Sequence, residues 1–253
     1  MKKYKKKLGQ HFLHDKNIIN KIIIAIKPKT TDSFLEIGPG EGALTTPLLD
    51  KIKNIMLIEK DKDLIPILQN KYIESDNVQI VNSDILKCNL SKYLLSKTRI
   101  IGNLPYNIST EIIFKLLPIT SVITDMHLML QKEVVDRMVA TPGSKVYGRL
   151  SVMTQVYFKV TKLFDISPNV FVPKPKVLSS YIKLIPNTSP FRDNNEQKFK
   201  KLVTMMFTAR RKMIKTSLKD YLDETALKSL SINPKHRPEV LSVEDFLRIS
   251  KYV

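Results

Sequence analysis

Five short apolar runs recur along the first half of the chain, and they constrain its fold more than any other feature. They lie at residues 33–37, 54–58, 78–81, 99–102 and 127–130. Apolar residues at helical spacing separate most of them. Leu64, Ile65 and Leu68 follow Asp61, and Ile112, Ile113, Leu116 and Leu117 follow the fourth run. Ahead of the first, Asp15 can cap a helix whose Ile18, Ile19, Ile22, Ile23 and Ile26 share one face, with Pro28 closing it. Strand-helix alternation of this kind predicts a mostly parallel sheet with helices on both faces. The pattern changes near residue 149. Residues 151–160 and 178–185 read as strands joined by the Pro-rich segment 168–175, an antiparallel pair at the sheet edge. From Asn194 onward only helical patterns remain, and Pro186-Asn187-Thr188-Ser189-Pro190 is the best linker. The expected domains are therefore 1–186 and a small helical domain, 187–253.

Polar residues stand where these runs end, and open α/β sheets bind ligands at that edge. The first run leads into Gly38-Pro39-Gly40-Glu41-Gly42, with a helix expected from about Ala43. Glycines there let the backbone pass close to a nucleotide. Nicotinamide-dependent enzymes use a related G-x-G-x-x-G loop, with a helix N-terminus aimed at a pyrophosphate. Here the third glycine comes one position earlier and Glu36 sits at the strand end. Both details suit S-adenosylmethionine, which has no phosphate and carries an amino group that a carboxylate helps neutralise. Glu59 ends the second run and can accept ribose hydroxyls, while Asp84 ends the third and can accept from an adenine amine. The plainer readings are a tight turn for the loop, a solvated acid beside Lys60 for Glu59, and a helix cap for Asp84.

The fourth run ends in Asn103-Leu104-Pro105-Tyr106. The exocyclic amine of adenine is a poor nucleophile because its lone pair is delocalised into the ring. The Asn103 side-chain oxygen and the Leu104 carbonyl can accept its two protons, favouring a pyramidal nitrogen and stabilising the charge that grows on it. Pro105 stiffens the turn and withholds an N–H donor. Tyr106 offers a stacking face. No general base is needed, so rate comes from positioning. Phe171, on the Pro-stiffened loop, could cover the other face of an unstacked base or simply pack in the core.

The net charge of +18 over 253 residues predicts attraction to a polyanion. No apolar run reaches the roughly 20 residues needed to cross a bilayer. The basic start lacks the apolar core of a secretory signal. Cys88 is the only cysteine, which fits a reducing cytoplasm and excludes an internal disulfide. No ligand spacing suggests a metal site. Between Lys198 and Lys219 stand eight Lys or Arg residues and no acid. If the stretch is one helix, Lys201, Met205, Thr208, Lys212 and Lys215 lie near one face, a phosphate-tracking stripe that includes Arg210 and Arg211.

Six motifs together resemble the KsgA family of ribosomal RNA adenine dimethyltransferases. They are Leu8-Gly9-Gln10-His11-Phe12-Leu13, Glu36-Ile37-Gly38-Pro39-Gly40, Asn103-Leu104-Pro105-Tyr106-Asn107-Ile108-Ser109, Met129-Leu130-Gln131-Lys132-Glu133-Val134, Tyr147-Gly148-Arg149-Leu150-Ser151-Val152 and Phe171-Val172-Pro173-Lys174-Pro175-Lys176-Val177. Arg210-Arg211-Lys212 resembles that family's C-terminal domain. The resemblance implies a Rossmann-like methyltransferase sheet of seven strands with the last antiparallel, plus a small all-α domain. It implies S-adenosylmethionine as cofactor, a monomer, and dimethylation of N6 on two adjacent adenines near the 3′ end of 16S rRNA within the 30S particle. It places His11, Leu13, Gly38, Glu59, Asp84 and Asn103 on the cofactor, and Asn103, Leu104, Pro105, Tyr106 and Phe171 at the target base. His11 stands where many members have Asn. Arg210, Arg211, Lys212 and Lys215 are expected on RNA. Two rivals stay open: a 23S rRNA adenine methyltransferase of the antibiotic-resistance type, and a non-catalytic assembly factor that keeps the fold.

Overall fold

The computed structural model describes residues 9–94, 97–191 and 195–253. The lysines of the first seven positions and Leu8 lie outside them. Among the described residues nine strands form two sheets. In chain order they are β1 (Phe12–Leu13), β2 (Ser33–Ile37), β3 (Asn54–Glu59), β4 (Val78–Asn82), β5 (Thr98–Asn103), β6 (Ile123–Gln131), β7 (Phe158–Ile166), β8 (Phe171–Val172) and β9 (Ser179–Pro186). The main sheet has the order β4-β3-β2-β5-β6-β9-β7, and β1 pairs with β8 apart from it. Neighbours from β4 to β6 are parallel, and β9 runs antiparallel to β6.

The central strands are apolar on both faces, as a sheet covered on both sides requires. Leu35, Leu57, Ile100, Ile101 and Leu128 are all fully buried. The chain leaves β2 toward β3 and β4, then returns to place β5 on the other side of β2. That reversal opens a crevice at the carboxyl ends of β2 and β5, the usual ligand position in such sheets. Gly102 sets the approach of the two strands. A Cβ there would lie 2.7 Å from the Ile37 carbonyl oxygen.

Ten α-helices lie among the described residues, with short 3-10 turns besides: α1 (Lys16–Ile26), α2 (Thr45–Leu48), α3 (Ile65–Lys71), α4 (Ser109–Lys115), α5 (Lys132–Met138), α6 (Arg149–Tyr157), α7 (Asn195–Thr208), α8 (Ile214–Ser217), α9 (Glu224–Ser229) and α10 (Val243–Ile249). Asp15 caps α1 by accepting from the Ile18 N–H at 2.9 Å. At the other end of α1, the buried Arg99 guanidinium donates to the Ile26 and Lys27 carbonyls and to Asp32. Two further bonds, of 2.8 and 2.9 Å, join it to Asp125. A single residue at the amino end of β5 thus satisfies helix-terminal carbonyls that would otherwise be orphaned.

The chain divides into two compact units, residues 1–135 with 161–186, and residues 136–160 with 187–253. The sequence reading placed 136–160 with the first domain. Its residues 149–157 form α6, not the expected strand, and β7 begins only at Phe158. Leu150, Ser151, Val152, Met153, Thr154 and Val156 are all buried. A short helix covered over most of its surface gives the same apolar run as a buried strand. The second unit has its own core, with Phe199, Leu202, Val203, Met206, Ile214, Phe246 and Ile249 fully buried. Ser242 and Asp245 form a reciprocal capping box on α10.

The expected basic helical face is also corrected. α7 ends at Thr208, and α8 starts afresh at Ile214, so Lys201, Met205, Thr208, Lys212 and Lys215 do not share one helix.

Candidate active site

Each strand end contributes one polar group to the crevice. After β2, Gly38 has φ +67° and no atom within 4 Å of where a Cβ would stand, so its surface is left open. Gly42, at φ +80°, is excluded from carrying a side chain because a Cβ would meet the Tyr72 hydroxyl at 1.9 Å. The loop between them is held by Glu59 at the end of β3. One carboxylate oxygen accepts from the Gly40 N–H at 3.2 Å and the other from the Asp61 N–H at 2.7 Å. Burial raises the Glu59 carboxyl above its ordinary range against those bonds. Each oxygen still has a lone pair for a ligand hydroxyl.

Glu36, inside β2, accepts from the Thr45 hydroxyl at 2.6 Å. Burial pushes its carboxyl up to about 7, with the Glu59 charge adding to the effect. Asp84, beyond β4, accepts from the Leu86 N–H at 3.0 Å and pairs with Lys60 at 2.8 Å. The Lys60 hydrogen bond lowers its carboxyl. Asp84 thus caps a turn rather than the helix of the plainer reading, and the same residue also lines the crevice.

At the end of β5, the Asn103 side-chain nitrogen donates to the His11 carbonyl at 2.7 Å. A carbonyl only accepts, so this bond fixes the amide orientation and leaves Oδ1 as the acceptor for a ligand. The Leu104 N–H bonds to the Met129 carbonyl at 3.2 Å, which continues the β5–β6 ladder past Asn103. Tyr106 is pinned at its hydroxyl by Ser179 at 2.6 Å. Its ring stacks on His11, with centroids 5.4 Å apart and planes 26° apart.

His11, Leu13, Gly38, Glu59, Asp84, Asn103, Leu104, Pro105 and Tyr106 all line one cleft of about 370 Å³. The expected donor-side and acceptor-side residues therefore meet in one place. Phe171 does not join them. It is 2 % exposed, sits opposite Leu13 in the β1–β8 pair, and belongs to the apolar core with Ile22 and Ile166. Its neighbour Val172 faces the cleft instead. The alternation of a strand turns one of two adjacent residues inward, and here it is the aromatic one.

Sequence reasoning missed Ser179, which lies 73 positions from the Tyr106 hydroxyl it holds. It also gave no role to Gln10 and Phe12, the neighbours of His11 and Leu13 in the segment that walls the cleft. Gln10 donates to Asp61 at 2.7 Å, and the Phe12 ring lies where a Gly40 Cβ would come within 3.0 Å. Neither contact leaves a local signal in the sequence.

In the second unit, Arg211 and Lys212 are exposed. Arg210 is committed to Glu239 at 2.7 Å and to the Lys145 carbonyl at 2.9 Å. Lys215 pairs with Glu224 at 2.8 Å. Among the described residues no cluster of His, Cys, Asp or Glu could hold a metal ion, and no helix is long and apolar enough to cross a membrane.

Comparison with known proteins bears on this site as a whole. A curated Ribosomal RNA small subunit methyltransferase A from Coxiella burnetii is 46% identical over 249 residues, covering 97% of this chain and 96% of that protein. Its namesake from Hahella chejuensis is 43% identical over 252 residues, covering 98% and 92%. Among solved structures, a dimethyladenosine transferase from Plasmodium falciparum superposes with TM-score 0.83 at 28% identity, covering 94% of this chain and 96% of that one. The 23S rRNA methyltransferase ErmE superposes with TM-score 0.76 at 25% identity, covering 95% and 98%. The family described as Ribosomal RNA adenine dimethylase matches residues 1–253 without a gap at either end, and the chain belongs to that family of methyltransferases.

Proposed function

We propose that this enzyme dimethylates N6 of two adjacent adenines near the 3′ end of 16S rRNA, using S-adenosylmethionine, during maturation of the small ribosomal subunit. One observation carries the reading. The Asn103 amide is locked by its nitrogen, so its oxygen is a fixed acceptor beside the Tyr106 ring, in the cleft that the Gly38 loop opens onto.

The residues present fit that cofactor. Gly38 leaves the open surface a nucleoside needs, Glu59 keeps lone pairs for ribose hydroxyls, and Asp84 remains an acceptor for an adenine amine. Glu36, with its carboxyl near 7, ionises readily beside a cationic amino group. When bound, S-adenosylmethionine supplies an electrophilic methyl on sulfur. The protein's own part is positional. Asn103 Oδ1 and the Leu104 carbonyl accept the two amine protons, which localises the nitrogen lone pair and stabilises the positive charge developing there. Tyr106, held by Ser179, fixes the plane of the base. Arg211 and Lys212 are the exposed cations offered to the RNA backbone.

The likeness to ErmE supports a second reading, methylation of large-subunit rRNA. One experiment separates the two. Radiolabelled cofactor is offered with unmethylated small subunits and, separately, with large subunits, and labelled nucleotides are mapped. Label on paired adenines of 16S rRNA is expected. Label confined to 23S rRNA selects the second reading, and label on neither sinks both.

A further inference from the structure

The loop between β8 and β9 borders the acceptor side of the cleft at both of its ends. Val172 lines the cleft. Ser179, where β9 begins, holds the Tyr106 hydroxyl at 2.6 Å. The loop is also fixed along its length. The Pro173 carbonyl lies 2.7 Å from His11 Nδ1, Pro175 is buried, and the Leu178 carbonyl accepts from the Lys132 N–H at 2.9 Å. Yet the loop turns apolar side chains outward. Val172, Val177 and Leu178 are 39, 43 and 46% exposed. Lys174 and Lys176 are exposed between them, and neither pairs with an acid among the described residues.

Single apolar residues on a surface are ordinary, and so are solvated lysines. A continuous strip of both beside a cleft for one base has a closer match. An adenine that enters the cleft must leave its stack, which costs free energy. Proteins that open a stack press apolar wedges against the bases left behind, and cations hold the flanking phosphates. Leu178 and Ser179 are adjacent, with Cα atoms about 3.8 Å apart. The strip therefore begins one residue from the group that holds Tyr106. Building on the adenine-methylating reading, we propose that this strip is the seat of the stack that the target adenine leaves. Val177 and Leu178 cover the bared face of the neighbouring base, and Lys174 and Lys176 take the phosphates beside it. Unpaired cations interleaved with the apolar groups suit a polyanion, as does the net charge of +18.

The test uses the full chain, with KM measured on unmethylated small subunits and Kd on a hairpin RNA that carries the adjacent adenines. Val177→Ser combined with Leu178→Ser should raise both roughly three- to twentyfold. Cofactor affinity by calorimetry should stay within twofold of wild type. With 2-aminopurine at the target position, the hairpin should fluoresce less on this variant than on wild type, since the base is held out of its stack less often. An abasic residue next to the target breaks the stack beforehand, so on that hairpin the two proteins should differ by less than twofold. Lys174→Ala combined with Lys176→Ala should make the salt dependence of hairpin binding shallower, by a slope change of about 1–2. Unchanged KM and Kd overturn the proposal. So does an equal loss on the abasic hairpin, which would mean a general contact and not a wedge. A loss confined to the subunits would assign the strip to a protein of the subunit, and a loss confined to the hairpin would show that the intact acceptor does not use it; either overturns the proposal. An unchanged salt slope takes the phosphates away from the lysines and overturns that half. Wild-type protein that methylates no adenine of the subunit brings down the functional reading first, and the wedge with it. If the double serine variant melts early, Leu178→Ser alone carries the test.

Discussion

The two ends of β5 hold charged and polar groups in opposite ways. At the amino end, Arg99 is closed upon itself by Asp125, Asp32 and two helix-terminal carbonyls. At the carboxyl end, Asn103 spends only its nitrogen on the protein, and the neighbouring Glu36 and Glu59 accept from one or two donors each. The ionisation states diverge accordingly. Burial alone would raise Asp125, but hydrogen bonds from His127 and Arg99 outweigh it and hold that carboxyl well below the usual range. Among the described residues no cation hydrogen-bonds Glu36 or Glu59, Lys71 acts on Glu36 only weakly, and burial raises both. A guanidinium with every N–H used serves the fold, and acceptors of similar burial with lone pairs to spare are a place for something else to bind.

Three substitutions test that contrast, and two changes to the basic surface follow them. Arg99→Met should be the most damaging to stability, by about 3–5 kcal/mol, because it strands two carboxylates. Urea denaturation measures it, and a loss under 1 kcal/mol would show that the network is not closed. Asn103→Ala should leave the melting temperature nearly unchanged while slowing methyl transfer by about 10²–10³-fold. Full activity would remove Asn103 from the acceptor role.

Glu36→Gln gives a smaller, pH-dependent effect. The native carboxyl holds its proton up to about 7 against an ordinary 4.5, so the wild type loses stability as pH rises through that window. Asp125 works in the other direction, adding stability above its unfolded value of 3.8 that is lost as pH falls. Glu36→Gln should therefore be more stable than wild type at pH 8 by about 1–3 kcal/mol, with the gap closing toward pH 4.5. Parallel stability curves would mean that Glu36 is solvated after all. Least in energy, replacing Arg211 and Lys212 by Ala should make the salt dependence of RNA binding shallower, by a slope change of about 1–2. Arg210→Ala should change the slope less, since its charge already faces Glu239.

Most of the parallel sheet was legible because its strands are continuous apolar runs with turn residues between them. The places of the Gly38 loop, Glu59, Asp84 and the Asn103 turn on the cleft were legible because each sits at or within two residues of a strand end, the ligand edge of such a sheet. The failures have physical causes. Helix α6 is buried over most of its surface, so its periodicity vanished and residues 151–157 passed for a strand. Phe171 and Val172 differ only in which way a two-residue strand turns them, which depends on pairing with Leu13 from 158 positions away. The basic stretch after Lys198 read as one face because nothing local announces the break between Thr208 and Ile214. His11 on Tyr106 is a tertiary contact, invisible to spacing.

Gly102 carries a consequence for how the site could change over time. Because the missing methyl group lets β5 lie against the Ile37 carbonyl, the spacing between the donor loop and the acceptor turn is set by main chain, at the ~4.8 Å pitch of adjacent strands. Side chains around the cleft can drift to suit another nucleic acid without altering that gauge. A substitution at Gly102, which touches no substrate, would widen it for every substrate at once.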